Sequence, residues 1–190
     1  HIPTGGNYSL LYHYAVVLDG SVHSPAMDPR MEISAFDSAT GAVVPCTPFS
    51  YVSTSTVPGF IHGSRGDYMP WKMGTFNFSG YGGRTIGIDF AASGCGYGGH
   101  SGYGYVDMST GFFANRILLC AGASTVALIG PAGYASYRWC DSATFSITYD
   151  TTQNTTVAAP SGIVAYAIIC TPYPGYGCPD TLYTQVVPPC

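Results

Sequence analysis

The stretch Tyr12-His13-Tyr14-Ala15-Val16-Val17-Leu18, followed at once by Asp19-Gly20, decides the fold. Aromatic and β-branched residues with partial period-two alternation, closed by a turn dipeptide, describe a half-buried strand rather than a helix face. The same pattern recurs at Met31–Phe36 (MEISAF), Phe49–Ser53, Met73–Phe78, Thr85–Phe90 (TIGIDF) and Tyr103–Val106. Turn chemistry separates them at Ser24-Pro25, Thr40-Gly41, Pro58-Gly59, Gly82-Gly83 and Gly98-Gly99. Short strands with that punctuation predict a sandwich or jelly roll, and no stretch of useful length has helical period.

From about Ile117 a second set of strands begins: Ser124–Ile129, Ala135–Trp139, Thr144–Tyr149, Thr155–Ala158, Ile163–Thr171 and Thr181–Val187. A hairpin at Thr171–Pro179 joins the last two. Six strands with Trp139 on an early one have the layout of an immunoglobulin-like sandwich. The expectation is an all-β chain: a jelly-roll-like β-sandwich over residues 1–116, then an Ig/PKD-like β-sandwich over 117–190.

Composition narrows the function. Charged residues make up only 8% of the 190, with 25 Gly, 14 Pro and 16 Tyr, so Ser, Thr, Tyr, Asn and backbone must cover the surface. Six Lys+Arg against ten Asp+Glu, a net charge of −4, leave no basic footprint for nucleic acid. No apolar run is long enough for a spanning helix. His1-Ile2-Pro3-Thr4 lacks the basic start and apolar core of a signal peptide, so the chain reads as mature or as a piece of something longer. Seven cysteines, at 46, 95, 120, 140, 170, 178 and 190, include no C-x-x-C pair. That spacing disfavours zinc or thioredoxin-like chemistry and reads as disulfides made in an oxidising compartment. An odd count leaves one thiol over, and Cys190 is the natural one to meet a partner outside the chain.

Two motif sets carry a resemblance. The blocks YHYAVVLDG, HSPAMDPRMEI, AVVPC, VPGF, Trp71 followed by IGIDF, and CGYGGHSGYGYVD resemble a jelly-roll-like module of large secreted surface proteins and gliding-motility adhesins of Bacteroidetes. The chain departs from that pattern at Gly94, where the family has Asp, and in a short N-terminus. Cys120-Ala121-Gly122, PAGYASYRW, VAYAIIC and a late Gly177-Cys178 are similar to the Ig/PKD-like repeats that follow such modules. The resemblance implies type IX secretion, a place at the cell surface and a role in adhesion, motility or filaments, without catalysis. It also implies disulfides Cys46–Cys95 and Cys120–Cys178, leaving Cys140 to meet Cys170, although the cysteines of the second module permit other arrangements.

Among candidate sites, Cys95–Asp107 (CGYGGHSGYGYVD) is the most distinctive stretch. Its glycines would let backbone approach a ligand, with Tyr97, His100, Tyr103 and Tyr105 offering contacts to a sugar. The plainer reading is a tight crossover whose tyrosines merely pack. His23 and His100 fall in two blocks of one module and could approach each other as imidazole ligands, or simply be buried and hydrogen-bonded. Asp19, Asp28 and Asp107 are the carboxylates a calcium site would draw on, but they lack D-x-D-x-D clustering. Glu32 is the only glutamate and no G-x-S-x-G elbow exists, so catalysis is not expected and no cofactor is required.

N-linked sequons stand at Asn7, Asn77 and Asn154, and Asp-Ser/Thr motifs for O-glycosylation stand at Ser38, Ser142, Thr151 and Thr181. The leading expectation is therefore a secreted structural or adhesive subunit that contacts copies of itself through strand edges. The 181–189 tail is the expected donor strand. The alternative is a carbohydrate-binding module.

Overall fold

The computed structural model describes the chain apart from residues 6–7, 21–22, 54–57, 112–113 and 189–190, and apart from the side chains of 109–111 and 114–115. Asn7 and Cys190 therefore lie outside the described residues. The protein is all-β. Its strands are β1 (Ser9–Leu18), β2 (Arg30–Asp37), β3 (Phe49–Val52), β4 (Ile61–Gly63), β5 (Gly66–Asn77), β6 (Ile86–Ser93) and β7 (Gly102–Gly111), then β8 (Ala114–Leu118), β9 (Thr125–Ile129), β10 (Ser136–Asp141), β11 (Thr148–Asp150), β12 (Asn154–Ala158), β13 (Val164–Thr171) and β14 (Asp180–Val187). Among the described residues no helix is long and apolar enough to cross a membrane.

The chain divides into two compact units, residues 1–111 with 173–178, and residues 112–172 with 179–190. This corrects the expected division at 116/117 in two places. Strand β8 belongs to the second unit because it pairs in parallel with β14, Ile117 beside Val186. The segment 173–178 belongs to the first, where Tyr176 stacks on Tyr51 at 4.9 Å and meets Phe49.

In the first unit a four-stranded sheet, β4-β5-β1-β7, and a three-stranded sheet, β3-β2-β6, enclose one core. Alternation in β1 turns Leu10, Tyr12, Tyr14, Val16 and Leu18 inward and His13, Ala15 and Val17 outward. Met31, Ile33 and Ala35 answer from β2. Aromatic side chains cover glycines on the neighbouring strand at two places. Tyr12 lies over its partner Gly74, and Phe36 over its partner Gly87, where an added Cβ would strike the ring.

Two tyrosines and a carboxylate inside this core are paired. The Tyr14 and Tyr51 hydroxyls share a 2.6 Å hydrogen bond. Burial pushes the Tyr14 phenol up to about 12 and Tyr51 higher still, so both stay neutral. Asp37 receives Arg84 at 2.6 Å, and that guanidinium, with the Ala39 N–H, holds its carboxyl below the usual range.

Strand β5 runs between β4 and β1 yet contains Pro70, which cannot donate to a ladder. A bulge accommodates it: Val16 pairs with Met69 and Tyr14 with Lys72, so Pro70 and Trp71 together oppose Ala15. The extra residue keeps Met69 inward while leaving Trp71 exposed.

The second unit sets a five-stranded sheet, β11-β10-β13-β14-β8, with a two-stranded sheet, β12-β9. Trp139 on β10 is fully buried and donates its indole N–H to the Gln153 carbonyl at 3.2 Å. It pairs with Ile168 of β13, and Val126 and Leu128 of β9 and Leu182 and Val186 of β14 are buried in the same unit. A buried Trp on this strand is a mark of the immunoglobulin-like arrangement.

Candidate functional site

The single disulfide among the described residues joins Cys46 to Cys178, with Cα atoms 5.2 Å apart. All three expected pairings are thereby overturned. Cys178 reaches Cys46 because the 173–178 turn, closed by Tyr176 N–H on the Tyr173 carbonyl, returns to the first unit. Cys140 stands opposite Ala167 on β13, three residues from Cys170. An odd offset puts the two sulfurs on opposite faces of the sheet, and about 10 Å of strand separates them, beyond the reach of a bridge. Both thiols are fully buried and burial raises both pKa values, Cys170 to about 12. Cys120 is an exposed thiol.

Cys95, freed from the expected bridge, lies in a cluster with His23 and His100. One ligand atom from each of the three comes within 4.8 Å of the other two. The rings of His23 and His100 are 5.3 Å apart, centroid to centroid, and Tyr97 meets His23 edge-on at 5.0 Å. Local backbone explains the convergence. Cys95 N–H donates to the His100 carbonyl at 3.0 Å and Gly98 N–H to the Cys95 carbonyl at 3.1 Å, a tight loop that needs left-handed φ at Gly98 and Gly99 (77° and 92°). Gly96 N–H donates to Met27, whose own N–H caps Ser24, and this ties the turn carrying His23 to that loop. Gly96 has no Cβ because the Met27 side chain occupies its place.

Electrostatically the loop favours a thiolate. Burial alone would push the Cys95 thiol up, but the His100 imidazole and the backbone N–H groups of His100 and Tyr97 bring it below its ordinary value. As a thiol it donates to the Gly98 carbonyl at 3.1 Å. Among the described residues the buried His100 Nδ1 has no hydrogen-bond partner.

A second feature lies on the outer face of the β4-β5-β1-β7 sheet. Register places Ile61, Tyr68, Val17 and Tyr103 in one cross-strand rank, and all four are exposed. Tyr105, opposite Ala15, and Trp71 at the bulge extend the patch, at 53% and 55% exposure. Sequence reasoning found Tyr103 and Tyr105 but missed Tyr68 and Trp71. Tyr97 is exposed on the loop next to His23, away from this strand register.

The carboxylates considered for calcium do not converge. Asp19 follows Leu18, which pairs with Gly102, whereas Asp107 pairs with His13, about 20 Å farther along the ladder. Asp28 is buried beneath the start of β2. The glycosylation candidates are dispersed. Ser38 and Thr151 are exposed in turns, Ser142 and Thr181 are half-buried, and Asn77 and Asn154 are exposed. In each Asp-Ser/Thr motif the aspartate accepts backbone N–H bonds: Asp37 from Ala39, Asp141 from Thr144 and Ile147, Asp150 from Thr151 and Thr152, Asp180 from Thr181. The motif thus has a turn-forming role irrespective of any sugar.

No protein-family model matches the chain, and no curated protein matches it. The resemblance to surface-adhesin modules rests on its motifs alone.

Proposed function

We propose that the chain is a non-catalytic, secreted structural or adhesive subunit of a cell-surface fibre or adhesin, which contacts copies of itself through the outer face of the β4-β5-β1-β7 sheet. The observation that carries this reading is the exposed rank Ile61–Tyr68–Val17–Tyr103, flanked by Trp71 and Tyr105. Contiguous exposed apolar surface of this kind marks an interaction site. The low charge density supports close contact, because few ions would have to leave water. The motif resemblance adds the surface location and export route. A glycan partner is the second reading, since three tyrosines and a tryptophan offer ring faces with polar tips on one sheet surface.

Sedimentation of the intact chain tests the proposal. Concentration-dependent association is expected, with Trp71→Ser combined with Tyr103→Ser reducing it at least about tenfold, a change of roughly 1.4 kcal/mol typical of a lost aromatic anchor. A chain that stays monomeric, or a double variant that associates unchanged, overturns self-contact. Retention on a glycan array that the same double variant abolishes would favour the second reading.

A further inference from the structure

We infer that His23, Cys95 and His100 form a binding site for a thiolate-preferring first-row cation, zinc or copper, that pins the β1–β2 connection to the β6–β7 connection. Two independent observations carry this. The three ligand atoms lie mutually within 4.8 Å, and the His100 Nδ1 is buried without a hydrogen-bond partner among the described residues. Tetrahedral geometry with Zn–N of about 2.0–2.1 Å and Zn–S of about 2.3 Å sets ligand atoms roughly 3.3–3.6 Å apart, so side-chain rotations of about an ångström close the site. A bound cation supplies the Nδ1 with the partner it lacks, at a place where an unmet buried polar atom is costly.

The donor set selects the metal class. One thiolate and two imidazoles suit zinc and copper and exclude magnesium and calcium, which take oxygen. Three protein ligands leave one position for water, for a surface group of a partner, or for a soft donor such as the nearby Met27. Both connections are otherwise joined near this cluster by the Gly96 N–H bond to Met27 and the Asp19 N–H bond to Ser101, and a metal would add a further cross-link. Binding would stabilise the folded chain, because the unfolded chain holds no such preformed site.

Titration of the intact, metal-stripped chain with Co2+ as spectroscopic probe tests the inference, followed by competition with Zn2+ and with Cu+. One equivalent of Co2+ should give a thiolate-to-metal charge-transfer band that Zn2+ or Cu+ displaces, and the competitor effective at lower concentration identifies the cation. Cys95→Ser should abolish the band, and His100→Gln should weaken binding roughly tenfold or more. Exposed Cys120 is the internal control, so Cys120→Ser should leave the band unchanged. Absence of the band in the unaltered chain, or its persistence in Cys95→Ser, overturns the proposal. Should Cys95→Ser fail to fold, thermal melting of the unaltered chain decides: equimolar Zn2+ or Cu+ should raise the midpoint, and no shift with either sinks the site.

Discussion

Asp150 shows how single side chains shape this fold. The Thr155 hydroxyl and the Thr152 and Thr151 N–H groups hold its carboxyl down to about 2, and Asp141 is lowered further still by Thr144 and Ile147. A folded-state pKa below the unfolded value contributes stability that is present above about pH 4 and lost as pH falls toward the folded pKa. Asp150→Asn should therefore melt earlier than the unaltered chain at pH 7, and the gap should close by about pH 2. Melting curves across that range check it, and a gap independent of pH would refute the assignment. Legibility at this scale was uneven. His23 and His100 lie in motif blocks of one module, which makes their approach conceivable from sequence, whereas Cys95 reads first as half of a disulfide and so does not announce itself as their companion. Cysteine pairing depends on strand register and on where a return loop lands, and neither leaves a local mark in the chain.

Among the elements, β14 overturns the donor-strand expectation. It is a central strand, with Thr184 paired to Tyr166 on one side and to Asn115 on the other, so it has no free edge to lend a neighbour. Thr184→Pro removes a ladder donor and strands a buried acceptor, which should cost about 2–4 kcal/mol. Urea unfolding of the intact chain measures this, and an unchanged midpoint would contradict the central placement. Strands with clear alternation, such as β1, β2 and β14, are readable from sequence because their buried face repeats every second residue. Strand β4 is too short to show a period, the first half of β5 is broken by Pro70, and β8 gains its pairing only from β14, far along the chain. Those omissions hid Ile61 and Tyr68, half of the exposed rank. Trp71 needed the bulge to bring it outward, which no periodicity announces.

At the scale of the whole molecule the fold class was plain, since turn residues and short β-rich runs leave little alternative to stacked sheets. The division was not, because the chain leaves the second unit at 173–178 and then returns to it. The Cys46–Cys178 bond holds that excursion and closes a loop with a sequence separation of 132. By loop entropy alone such a closure contributes about 5 kcal/mol. Replacing both cysteines by serine should lower the unfolding free energy by up to that amount, and an unchanged denaturation midpoint would show the bond to be idle.

The same bond changes how the polypeptide would answer a pull. Once the strands are pulled apart, tension would travel from residue 46 to 178 through sulfur, and the backbone between them would carry no load. Roughly 440–480 Å of contour length would stay in reserve until the bond is reduced. Reduction of that one bond would release this length as a redox-controlled extension.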